Sequence, residues 1–224
     1  MDVNLQWKTA FKGKRPNILF VLTDDQGPWA AGCYGNPEIR TPNIDRLATT
    51  GLRFENFCVA TPVCSPSRAT FLTGRMPSQH GVHDWIHGGN FGPDAMTYLQ
   101  NEIAYTDILA AAGWTCGFSG KWHLGNAQLT QHGFHHWFAH QGGGGAYNNA
   151  PMVREGLPIV APGYVTNVIT DDALQFLDRC AREPGKPFYL SVHYTAPHSP
   201  WTGHPADIVS SYDDCPFTSC PQEP

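Results

Sequence analysis

The stretch Pro16-Asn17-Ile18-Leu19-Phe20-Val21-Leu22-Thr23-Asp24-Asp25-Gln26-Gly27 decides how this chain is read. Residues 17–22 form an unbroken apolar run with β-branched members, too short for a helix and apolar toward both faces, as a buried parallel strand is. The run ends in Thr23, Asp24 and Asp25, so the strand delivers two carboxylates at its C-terminal end. Working outward, Thr41-Pro42 pairs a capping residue with proline at the first helical position. Ile44, Leu47 and Ala48 then form an apolar stripe that Gly51 closes. A strand is expected over about 52 to 59. Ser65-Pro66 repeats the helix-opening signal for a short helix through Arg68 and Leu72, stopped by Gly74, which puts Cys64 just before a helix N-terminus.

Farther along, the chain is helical in character from about Thr97 to Ala112 and ends that helix at Gly113. Trp114 to Ser119 reads as a strand that runs into Lys121, His123 and Gly125. Residues 126–164 hold few regular signals, with Gly142 to Gly145 in a row and histidines at 132, 135, 136 and 140, and read as a long surface excursion. Val165, Val168, Ile169, Leu174, Leu177 and Ala181 give a helical stripe behind a Thr166 cap. Phe188 to Tyr194 is the next strand, ending at Pro197-His198. No internal repeat is visible.

Alternating strands and helices predict an α/β fold: a doubly wound, mostly parallel sheet with helices on both faces. Ligands in such sheets bind outside the carboxyl ends of the strands. Three separately read strands place Asp24 and Asp25, Lys121 and His123, and His198 at that edge, and the Cys64 turn joins them.

Composition narrows the function classes. The 14 basic and 19 acidic side chains give a net charge of −5, against the basic excess of a general nucleic-acid binder. Hydrophobic residues at 41% and charged ones at 15% argue for a packed core rather than disorder. The longest apolar runs fall far short of the roughly 20 residues that span a bilayer, so no membrane segment is expected. Residues 1–15 read as an N-terminal extension; their Lys8, Lys12, Lys14 and Arg15 precede too short an apolar run for a signal peptide. A cytoplasmic location is therefore expected, or a periplasmic or secreted one if a leader has been removed. The seven cysteines make an odd set without a CxxC pair and read mostly as reduced core thiols. Cys215 and Cys220, with His204 near, lack the usual spacing of a zinc pair.

Each chemistry-bearing element is weak alone, since Asp-Asp after a strand is most often a solvated turn. Together they describe a pair of hard-cation ligands, a nucleophile and several positive donors, which suits an oxyanion ester. Asp24 and Asp25 suit Ca²⁺ or Mg²⁺ and not a soft metal.

The run Cys64-Ser65-Pro66-Ser67-Arg68-Ala69-Thr70-Phe71-Leu72-Thr73-Gly74-Arg75 resembles the signature of the formylglycine-dependent (type I) sulfatases of the alkaline phosphatase superfamily. PNILFVLTDDQG, TPNIDRLATTGLRFENF, SGKWHLG, VTNVITDDALQFLDR and PFYLSVHYTAPHSP look like further blocks of that family, in its order, so the likeness runs from Pro16 onward. It implies the alkaline-phosphatase-like fold over 16–224 and oxidation of Cys64 to an aldehyde, formylglycine, by a separate formylglycine-generating or sulfatase-maturing enzyme. One hydroxyl of the hydrated aldehyde would attack sulfur beside a Ca²⁺ ion, and the other would expel sulfate. By the same resemblance, Arg68 and His123 hold and deprotonate the diol. Lys121 and His198 bind the sulfate oxygens and assist the leaving group, and Asp24, Asp25 and the modified Cys64 hold the cation.

The family's downstream Asp with an adjacent Asn or His, and a further Lys, have no counterpart here. The sequence reads as the N-terminal half of a sulfatase without the smaller C-terminal domain. The expected substrate is a sulfated small molecule, a saccharide above all, with Trp85, Trp201, His83 and His87 as candidate rim residues. Three other readings stay open: a truncated sulfatase-like protein without turnover, a phosphatase or phosphonate monoester hydrolase on the same scaffold, and, least of all, a cysteine phosphatase. The last expects Cys-x5-Arg, whereas Arg68 lies four residues after Cys64.

Overall fold

The computed structural model describes residues 15–221. Residues 1–14 of the expected extension lie outside the described residues. Arg15 donates from Nη1 to the Ala112 carbonyl (2.6 Å) and lies over the Trp114 ring.

Among the described residues, six strands form one sheet: β1 Ile18–Asp24, β2 Thr115–Gly120, β3 His136–His140, β4 Asn148–Arg154, β5 Leu157–Tyr164 and β6 Phe188–Pro197, in the order β1-β6-β2-β3-β4-β5. The pairs β1/β6, β6/β2 and β2/β3 are parallel, whereas β3/β4 and β4/β5 are antiparallel. The helices are α1 Pro42–Thr50, α2 Cys64–Thr73, α3 Pro77–His80, α4 Tyr105–Ala111, α5 Val165–Ala181 and α6 Ala206–Ser210.

Two apolar layers sandwich the sheet because its strands alternate their side chains. Cys116, Phe118, Trp137 and Tyr189 face a layer that includes Ala69 and Leu72 of α2 and Leu109 and Ala110 of α4. Phe138, Met152, Leu190 and Val192 face Val165, Ile169, Ala173 and Phe176 of α5. Helices thus pack on both faces, leaving the outward side of β1 half exposed. Glycines on β2 allow the close approach: a Cβ on Gly117 would lie 2.7 Å from the Phe176 ring, and one on Gly120 would lie 1.8 Å from the His193 carbonyl.

Several elements depart from the sequence reading. Residues 52–59 are not a strand: every residue from 51 to 60 is exposed, and without a partner strand among the described residues β-branched and aromatic side chains gain nothing from extension. The helix expected from Thr97 starts at Tyr105, because Asp107 Oδ2 accepts the Ala104 N–H (2.8 Å) and fixes the start there, while Thr97 bridges to Gly125.

The expected excursion over 126–164 instead contributes β3, β4 and β5. All five residues of β3 are buried, and its histidines, read as polar surface, have partners in the interior. Glu155 and Gly156, both with positive φ, make the two-residue turn between β4 and β5. The N-cap of α5 is Tyr164 rather than Thr166, whose buried hydroxyl makes no cap. Of the seven cysteines only Cys116 is buried.

Candidate active site

The parallel strands β1, β2 and β6 end side by side. Asp24 is the last residue of β1 and pairs with Pro197 of β6, and the Lys121 amide continues the β2/β6 ladder by donating to the His193 carbonyl (2.8 Å). Two departures from ordinary backbone follow these ends: Asp25 (φ 63°) and His123 (φ 55°) both occupy the left-handed region. Non-glycine residues are held there only where the surrounding structure imposes it, which is common at functional sites.

The sheet edge and α2 together build a buried charged cluster. Lys121 Nζ is ion-paired with Asp24 Oδ2, and Arg68 Nη2 lies 3.7 Å from Asp24 Oδ1. Arg68 sits one helical turn after Cys64, so both project from the same side of α2. It is 3% exposed; its Nη1 donates to the Lys121 carbonyl (2.5 Å) and to His193 Nδ1 (3.0 Å), while its Nε is buried without a partner. Burial pulls the pKa of both cations down, and Asp24 and Cys64 oppose that pull. Cys64 is partly exposed beside these charges, at the start of α2.

His123 is buried, and its Nε2 lies 3.0 Å from the Ile86 carbonyl. A carbonyl only accepts, so Nε2 carries the proton and Nδ1 is a bare lone pair, buried and without a partner. Burial first, then Lys121, pushes this histidine down to about 4, so it is neutral at pH 7. The Gly142–Gly145 loop packs over it: a Cβ on Gly143 would lie 2.2 Å from His123 Nε2.

Asp24, Arg68, Lys121, His123 and Cys64 are therefore brought together. Asp25 follows Asp24 but is exposed. His198 stands just past the end of β6, where its Nδ1 is 2.7 Å from the Ser199 carbonyl and its own carbonyl accepts the Tyr147 hydroxyl (2.6 Å). No contact joins its ring to Arg68 or Lys121 among the described residues. The expected cation site is not assembled either. No group of three His, Cys, Asp or Glu side chains able to hold a metal occurs among the described residues. The carboxylate of Asp24 is already compensated by Lys121 and Arg68, and two carboxylates fall short of the six to eight oxygens that Ca²⁺ takes. The residues described do not fit such an ion.

His193 belongs to the site although the sequence reading passed over it. Because Arg68 donates to its Nδ1, its Nε2–H donates to Ser191 Oγ (2.7 Å), which also accepts the Tyr189 hydroxyl (3.1 Å). Tyr189 in turn bonds Tyr105 of α4. This chain of bonds locks the guanidinium from behind. Its signal in the sequence is the period-two row Tyr189, Ser191, His193 along one side of a strand otherwise apolar.

Fold and site define an α/β protein with a buried cationic cluster at the carboxyl edge of its parallel strands, beside a cysteine. The Sulfatase family model matches residues 16–217, and the chain belongs to the sulfatase family. It is similar to an N-acetylglucosamine-6-O-sulfatase of Bacteroides thetaiotaomicron, 37% identical over 197 residues that cover 87% of this chain and 33% of that protein. It is also similar to the N-acetylgalactosamine-6-sulfatase of Homo sapiens, 37% identical over 210 residues, covering 83% and 40%. A solved structure in complex with its substrate, D-glucosamine-2-N,6-O-disulfate, superposes with a TM-score of 0.78 at 34% identity, covering 91% of this chain and 39% of that one. The chain thus spans about a third to two fifths of the length of these relatives.

Proposed function

We propose that this protein hydrolyses a sulfate monoester of a saccharide, with residue 64 as the nucleophile after a separate enzyme has oxidised its thiol to formylglycine. The observation that carries the reading is the charge balance beside Cys64. Arg68 and Lys121 are both buried against one buried carboxylate, Asp24, which leaves the cluster one positive charge in excess. A sulfate monoester carries one negative charge and satisfies that excess, whereas a phosphate monoester near pH 7 carries about two. Balance thus favours sulfate over the phosphatase reading. A saccharide is favoured because the relatives above are named for sulfated amino sugars or bind one.

Hydrated, the aldehyde at residue 64 would supply two hydroxyls on one carbon, one to attack sulfur as the sugar alcohol leaves and one whose deprotonation would re-form the carbonyl and release sulfate. The chain's own groups prepare both ends of that chemistry. His123, neutral with Nδ1 bare, is suited to accept the proton of the attacking hydroxyl. Arg68, fixed by the Lys121 carbonyl and His193, still has a buried Nε–H to offer an oxyanion. Lys121 adds the second positive charge for the negative charge that develops on sulfate oxygens. The walls of the site are buried, which strengthens both interactions by excluding water.

The test is turnover of glucosamine 6-sulfate and of glucosamine 6-phosphate by protein co-expressed with a formylglycine-generating enzyme. Release of sulfate without release of phosphate, abolished in Cys64→Ala, is expected. Phosphate release in preference to sulfate would refute the assignment.

A further inference from the structure

Between α3 and α4 the chain runs Asp84-Trp85-Ile86-His87, and Ile86 ties this stretch to the reactive end of the site twice. Its N–H donates to the hydroxyl of Ser65, the neighbour of Cys64, at 3.1 Å. Its carbonyl accepts the Nε2–H of His123 at 3.0 Å, and its own side chain is buried in the core. The residues on either side turn outward instead. Trp85 is 46% exposed, His87 is exposed, and their rings lie against each other with centroids 3.6 Å apart at 32°.

Leaving an indole in water forfeits a large apolar surface. This one is also propped by a second ring and held by backbone bonds to the two residues that flank the chemistry, so it is a prepared surface and not a loose tip. A pyranose carries C–H groups on one face that suit the negative face of an indole, while its ring hydroxyls stay in water. Resting on the saccharide-sulfate reading above, we infer that Trp85, backed by His87, is the platform on which the sugar ring stacks while its sulfate enters the Arg68 and Lys121 cluster. Trp85 is thus a specificity-determining residue. It distinguishes a sulfated sugar from a sulfate monoester without a ring, and the buried cations do not.

Titration calorimetry of the chain with glucosamine 6-sulfate and, separately, with methyl sulfate, a sulfate monoester that has no ring, tests this. The sugar sulfate should bind roughly tenfold more tightly than methyl sulfate, the worth of one good ring contact. Trp85→Ala should erase that advantage and leave the affinity for methyl sulfate unchanged, while Trp85→Phe should restore most of it. Because Trp85 is exposed, an unchanged methyl sulfate affinity also shows that the variant is folded. The inference is overturned if Trp85→Ala keeps the full preference for the sugar. If neither probe binds wild type, the cationic site itself is misassigned and the platform falls with it, an outcome that absent methyl sulfate binding sets apart.

Discussion

Arg68 is the residue on which most of the site's geometry converges, since it joins α2 to the ends of β2 and β6 through the Lys121 carbonyl and His193. Arg68→Ala should lower kcat on a sulfate ester by 10²–10³-fold, the usual cost of losing one oxyanion donor; an effect under threefold would deny it that role. His140 makes a prediction of a different kind. Burial pushes it down to about 4 in the fold, against 6.5 when unfolded, so the folded state holds it neutral. Its contribution is complete above pH 6.5 and is lost as pH falls toward 4, about 3 kcal/mol in all. Urea unfolding at pH 7 and pH 4.5 should show the loss, and His140→Gln should shrink it. At this scale the sequence was legible where a motif fixed a spacing, as with Cys64 and Arg68, or where a strand ended, as with Asp24 and Lys121. It was less so for His198, whose position after β6 says nothing of which way the following loop carries its ring, and for His193, whose polar neighbours emerge only once the strand's two faces are separated.

Among the elements, β2 is the most constrained, with α5 pressed against Gly117 and β6 against Gly120. Gly120 also has a φ of 122°, a conformation that residues with a Cβ rarely adopt. Gly120→Ala should therefore destabilise the fold by about 4 kcal/mol or more, at the severe end for single substitutions; thermal unfolding within a degree or two of wild type would contradict the packing described. The elements that the sequence hid share one physical cause. In β3, His136 bonds Asp172 of α5 (2.8 Å) and lies 3.0 Å from Glu155. Histidines that look like surface are thus buried by partners 19 and 36 positions away, which no local pattern shows. The reverse happened at 52–59, where local β propensity was real but no strand among the described residues pairs with it. Helices α1, α2 and α5 were visible because proline, glycine and an apolar stripe mark their ends and faces within a few residues.

For the molecule as a whole, the same sheet that builds the site also leaves its β1 edge uncovered among the described residues. β1 is an edge strand with Leu19 and Val21 each more than half exposed, and Leu52, Phe54 and Phe57 add further exposed apolar surface. A row of unpaired backbone groups beside such surface favours self-association. The chain should form oligomers at micromolar concentration that Val21→Lys weakens without changing its far-UV circular dichroism; a strict monomer in sedimentation would count against this. The site lies at the end of that same strand, and the proposed function requires its carboxyl edge to be a reactive centre.

Peptide mass spectrometry of the segment around Cys64, after co-expression with a formylglycine-generating enzyme, addresses that most directly. The mass of the aldehyde or its hydrate is expected at residue 64, and the same protein is expected to release sulfate from a sulfate ester. A thiol that remains unconverted, or an aldehyde-bearing protein that releases no sulfate from the ester, would contradict the proposed function.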